Sequence, residues 1–109
     1  IRKSNILILG LAYKRDIDDM RESPALKIIE LLRFKGANIS CHDPNIDNAK
    51  ELKFVELNKE NLRKADAVVI TTDHSNVDYE MVGKYAKLII DTRNVMANVK
   101  NPKADVLRA

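Results

Sequence analysis

The chain has 109 residues, 45% of them hydrophobic and 32% charged, with a formal net charge of +3 at pH 7, which supports one soluble domain with a single core. Basic and acidic residues are interspersed and aromatic residues are few, which argues against nucleic-acid binding, while a localised anion site stays open. A single cysteine, Cys41, excludes a disulfide framework; with no signal peptide and no membrane-spanning apolar run, the expected location is cytoplasmic.

The chain begins with Ile1 rather than Met and reads as a piece of a longer protein. "NILILG" (5–10) is a continuous apolar run ending in Gly10, as expected of a strand buried on both faces. Next comes "GLAYKRDIDDMRESP" (10–24), dense in charge. A tight strand-to-helix turn takes about two to six residues, and this one takes about twelve. The loop 13–22 carries little apolar material to bury and is expected to be mobile.

Ser23-Pro24 supplies an N-cap and a proline at the first helical position. Ala25, Ile28, Ile29 and Leu32 recur with helical spacing, and Gly36 supplies the stop. "ANISCHDP" (37–44) reads as the second strand. The segment 45–57 is mixed, with a short helix near "IDNAKEL" (46–52), and Asn58 caps a short helix through Leu62 and Arg63. "ADAVVITT" (65–72) is the third strand, 78–86 is helical, "KLIIDT" (87–92) is the fourth strand, and "ADVL" (104–107) is a short fifth.

Apolar strands alternating with helices imply right-handed crossovers and a sheet covered on both faces. The expected fold is α/β: a Rossmann-like three-layer α/β/α sandwich with a mainly parallel sheet in the order 3-2-1-4-5. In such sheets ligands bind beyond the carboxyl ends of the strands, near the switch in strand order. The charged loop, "TDHSN" (72–76) and "DTRN" (91–94) all leave strands at that edge.

Gly10 starts a dinucleotide fingerprint that then fails, because Ala12 and Arg15 stand where the other glycines belong. Lys14, Arg15 and Arg21 offer side chains for phosphate instead, helped by the helix start at 23–25; the alternative is a solvated loop with internal Asp–Arg pairs. Arg93 suits bidentate phosphate or base recognition, or else pairs with Asp91 at the surface. His74 beside Asp73 resembles a general-base pair, but with no nucleophile nearby it reads as a loop-ordering residue. His42 and Asp43 read as turn chemistry, and Cys41 as an inert strand residue. No metal-ligand spacing is present.

"LGLAYKRDIDDMRESPALKIIELL" (9–32) resembles the opening of the C-terminal domain of the UDP-glucose/GDP-mannose dehydrogenase family. "HDP" (42–44), "ADAVVITTDHSNVDY" (65–79) and "IIDTRN" (89–94) resemble its later blocks in the same order. Those enzymes oxidise a nucleotide sugar at C6 to the uronic acid in two hydride transfers to NAD.

The resemblance implies that 1–109 is a single C-terminal UDP-sugar-binding domain of a longer dehydrogenase. It implies that Tyr13 and Lys14 contact the UDP-sugar, that Arg93 reaches the same substrate, and that Arg21 reaches NAD across a domain interface. The family's catalytic cysteine and lysine and its glycine fingerprint lie in other domains, and Cys41 does not match that cysteine. The piece alone is therefore expected to bind without turnover, with no catalytic residue of its own. The parent is expected to be a homo-oligomer through a central helix absent here.

"RESPALKII" and "TDHS" look most like the branch that oxidises UDP-N-acetylhexosamines, notably UDP-N-acetylmannosamine, for surface polysaccharides. Other readings are a non-catalytic Rossmann-like interaction or nucleotide-binding module, a free-standing NAD-binding module opposed by the broken glycine pattern, and a receiver-type signalling module. The receiver reading lacks the acidic residues it needs at the end of the first strand, where Gly10 stands.

Overall fold

A computed structural model describes residues 3–11, 24–44 and 52–108. The expected cap at Ser23, the helix near 46–52 and the expected mobility of the loop 13–22 lie outside the described residues.

Five strands, β1 (Asn5–Leu9), β2 (Asn38–His42), β3 (Ala67–Ile70), β4 (Leu88–Asp91) and β5 (Asp105–Arg108), form one parallel sheet. Helices α1 (Pro24–Phe34), α2 (Lys59–Lys64) and α3 (Tyr79–Tyr85) connect them, with a short 3-10 helix over Val95–Asn98. Period-two alternation divides the core. Ile6 and Ile8 of β1 face a cluster with Ala25 and Ile29 of α1, whereas Leu7 and Leu9 face one with Leu62 of α2 and Val82 of α3. These clusters make the expected three layers.

Local chemistry accounts for the element ends. Gly36 follows α1 at φ 89, and its neighbour Ala37 donates its N–H to the Leu32 carbonyl at 3.1 Å, closing the orphan carbonyls of the last turn. Asn58 caps α2 by accepting from the Asn61 N–H at 2.8 Å, and Asp78 caps α3 by accepting from Met81 at 3.1 Å.

The strand order is β2-β1-β3-β4-β5, a correction to the expected 3-2-1-4-5. All residues of β3 are buried, so it belongs between two strands; β2 carries Asn38, Ser40 and His42 and takes the edge. Its outer side is not left bare. Cys41 forms a parallel bridge with Phe54, donating its N–H to the Lys53 carbonyl at 2.8 Å and accepting from Val55 at 2.9 Å. The order moves the topological switch to the gap between β1 and β3.

Register levels the carboxyl ends. His42, Leu9, Ile70, Asp91 and Arg108 pair in a row across the sheet. The residues that follow therefore leave at one height, above the switch point where a ligand crevice opens.

Gly10 crosses that point with φ +94, and a Cβ there would stand 2.7 Å from both Cβ and carbonyl O of Thr72. Gly10→Ala combines a disfavoured backbone with a clash against main chain, and is expected to destabilise the chain by more than about 2 kcal/mol in urea unfolding. A change within about 0.5 kcal/mol would mean the crossing is not held this tightly.

Candidate functional site

The carboxyl edge is organised from beneath by Asp43, which is 4% exposed. It follows β2 and accepts from the Leu11 backbone N–H at 2.7 Å, tying down the chain just past β1. The same oxygen accepts from His74 Nε2 at 2.8 Å, and His74 is itself fully buried beyond β3. The Tyr79 hydroxyl then donates to the His74 carbonyl at 2.9 Å, adding α3 to the network. A carboxylate only accepts, so the Asp43 contact fixes the proton on Nε2 of His74.

His74 is thus a loop-ordering residue, as the sequence suggests, but through Asp43 at long range as well as its neighbours. Asp43 is more than turn chemistry, because it joins the exits of three adjacent strands. His42 instead points its Nδ1 at the Val55 carbonyl, 3.0 Å away, and helps hold the strip beside β2.

The exit of β3 is fastened to that of β1. Thr71 donates its N–H to the Leu9 carbonyl at 3.0 Å, and its hydroxyl reaches the Leu9 and Gly10 carbonyls. The exit of β4 is fastened to β3 through the Thr92 hydroxyl on the Ile70 carbonyl at 2.6 Å. Arg93 follows, with its Nε donating to the Thr71 carbonyl at 3.1 Å. The expected alternative, an Arg93–Asp91 side-chain pair, is not what forms. Asp91 is fully buried and spends its oxygens on the backbone N–H groups of Arg93 (3.0 Å) and Met96 (2.8 Å).

Between the β3 and β4 exits lies an open cleft of about 540 Å³, lined by Ser75, Tyr79, Arg93, Asn94 and Asn98 among others. Arg93 is the one lysine or arginine lining it among the described residues, which also include Asp73, Asp78 and Glu80. Such a lining favours polar, hydrogen-bonding parts of a ligand inside and an anionic group only at the Arg93 rim.

Of the sequence-expected site residues, Arg93 stands at this edge. Tyr13, Lys14 and Arg21 lie outside the described residues. The Cβ direction of Gly10 is closed by Thr72, and Ala12 and Arg15, which stand at the other glycine positions of the fingerprint, lie outside the described residues. Among the described residues no cluster suits a metal ion, and no helix is long and apolar enough to cross a membrane. Cys41 is fully buried, and burial raises its thiol from 9.0 to about 11, only partly opposed by the positive charge of Arg33.

A family model described as the UDP-glucose/GDP-mannose dehydrogenase family, UDP binding domain, matches residues 7–98. The chain is 41% identical over 98 residues to the UDP-N-acetyl-D-mannosamine dehydrogenase of Pyrococcus horikoshii, covering 84% of this chain and 22% of that protein. It is 34% identical over 105 residues to the UDP-glucose 6-dehydrogenase of Rhizobium meliloti, covering 87% and 24%. The solved structure of an NDP-N-acetyl-D-galactosaminuronic acid dehydrogenase from Methanosarcina mazei superimposes with a TM-score of 0.77 at 27% identity, over 98% of this chain and 24% of that one. The chain spans about a quarter of the length of the curated relatives it matches.

Removing the Asp43 carboxylate leaves a buried N–H and a buried imidazole without that acceptor. Asp43→Ala is expected to lower unfolding free energy by about 3 kcal/mol, and to couple with His74→Ala by more than about 1 kcal/mol in a double-mutant cycle. Additive losses would show that the two do not act together. For Cys41, modification by a disulfide reagent is expected to be slow in the native chain through pH 9 and fast once urea unfolds it, because only thiolate reacts. The thiol's contribution to stability is complete below its ordinary 9.0 and is lost as pH rises towards about 11.

Proposed function

Because the chain belongs to the UDP-glucose/GDP-mannose dehydrogenase family, as its UDP binding domain, we propose that it holds the UDP half of a nucleotide sugar at the carboxyl edge of its sheet. The observation that carries this reading is the position of Arg93. It lies beside the β1/β3 switch point, at the rim of a cleft, with its side chain tethered and its guanidinium exposed. Arg93 binds the diphosphate there, and Lys14 supplies a second positive charge from the loop after β1. Tyr13 flanks the same ligand.

The chain acts within a longer NAD-dependent nucleotide-sugar 6-dehydrogenase, in the cytoplasm, in the synthesis of polysaccharide precursors. NAD provides the hydride acceptor and is held chiefly outside these residues, with Arg21 reaching it across the domain boundary. The broken glycine pattern after Gly10, with Ala12 and Arg15 at the other glycine positions, supports that division of labour. The residues 1–109 form one substrate domain in this reading, and carry no catalytic group. UDP-N-acetyl-D-mannosamine is the proposed sugar, supported by the names of relatives from Pyrococcus horikoshii and Methanococcus vannielii.

Calorimetric titration of the chain with UDP, with ADP and NAD as controls, tests the reading. Binding selective for UDP is expected, weakened about tenfold by Lys14→Ala and by Arg93→Ala, the loss typical of one charge-assisted contact. Binding of ADP or NAD as tight as UDP, or variants that bind UDP like the parent, would contradict it.

A further inference from the structure

Arg93 is exposed, yet neither its backbone nor its side chain is loose. The backbone is fixed by Asp91 two residues earlier. Its Oδ1 accepts from the Arg93 N–H and its Oδ2 from the Met96 N–H, so one carboxylate brackets the turn and the 3-10 helix that follows. Asn94 completes the turn in the left-handed region at φ 60. The side chain is fixed from the other strand, since Arg93 Nε donates to the Thr71 carbonyl. That carbonyl belongs to a residue already fastened to Leu9 and Gly10.

Two features of this arrangement are informative. A buried carboxylate is an expensive way to close a turn, and an apolar residue of similar volume avoids its desolvation. Asp91 is fully buried and bears no hydrogen bond to the Arg93 guanidinium, so its whole interaction is with the backbone that aims Arg93. Second, the tether consumes Nε. The side-on face of the guanidinium, Nε with one terminal nitrogen, is therefore unavailable to a ligand, and the two terminal nitrogens remain as a fork.

We propose that Asp91 is the positioning residue for Arg93, and that Arg93 meets the diphosphate end-on, through its two Nη groups. The proposal rests on the reading of Arg93 as a diphosphate ligand. Lysine cannot substitute in this scheme, because it keeps the charge but loses both tether and fork. Asparagine at position 91 retains one acceptor oxygen and presents an amide NH₂ to the other backbone N–H, releasing one side of the bracket.

The test titrates UDP into the chain and its variants Asp91→Asn, Arg93→Ala, Arg93→Lys and the Asp91→Asn/Arg93→Ala pair. Asp91→Asn is expected to weaken UDP about tenfold alone and less than about twofold when Arg93 is already Ala. Equal losses in both backgrounds would assign Asp91 to general folding and overturn the positioning role. Arg93→Lys is expected to bind within about twofold of Arg93→Ala; parent-like binding by the lysine variant would overturn the end-on fork. If Arg93→Ala itself leaves UDP binding unchanged, the diphosphate reading fails and the end-on contact fails with it.

The positioning role is also read without ligand. In ¹⁵N spectra the Arg93 Nε–H is expected to exchange slowly in the parent chain and quickly in Asp91→Asn, at equal secondary structure by circular dichroism. Rapid exchange in the parent, or protection kept in Asp91→Asn, overturns it. Should Asp91→Asn fail to fold, the parent's Nε–H exchange and the lysine variant decide the matter.

Discussion

Asp43 is where the carboxyl edge of this sheet is held together. A parallel sheet gives its loops a common height but not a common shape, since each leaves a strand independently. Here one buried carboxylate reaches from the β2 exit to the Leu11 N–H beyond β1 and to His74 beyond β3. With charge and donors out of water, each contact is stronger than at the surface, and the loss of any one is correspondingly costly. The β3 exit that Asp43 steadies is the one that supplies the Thr71 carbonyl to Arg93, so the position of the exposed cation depends on the buried anion.

The division of labour between the two ends of the sheet follows from that. Shape at the carboxyl edge comes from two sets of fixed groups, Asp43 with Leu11 and His74, and Thr71 with Arg93, with Asp91 holding the backbone on the far side of Arg93. Gly10 belongs to the same construction. Its missing side chain admits the Thr72 backbone, drawing the β1 and β3 exits together.

Much of this was legible in the sequence, for identifiable reasons. β1, β3 and β4 are short, continuous apolar runs with polar exits, and the caps at Asn58 and Asp78 stand where their side chains are needed. Arg93 stands out in the sequence as an arginine just past a buried strand, and the structure places it at the carboxyl edge with its Nε on the Thr71 carbonyl. The strand order was not read correctly, although the polar alternation of Asn38, Ser40 and His42 was an edge signal available to be used. The Phe54 strip beside β2 was missed because its pairing is a single bridge to Cys41, with no periodicity to betray it. The Asp43–His74 pair spans 31 positions in the chain, and each residue has a closer partner of plausible chemistry, His42 for the first and Asp73 for the second. Only the register that levels the strand ends reveals which pairing is made.

The most direct test of this account is to map UDP on the ¹⁵N-labelled chain by amide chemical shifts. The largest changes are expected on Leu11, Thr72, Arg93 and Asn94, around the β1, β3 and β4 exits, with the amino edge near Asn38, Asn61 and Lys64 unmoved. Changes centred on that amino edge, or scattered evenly over the surface, would contradict it.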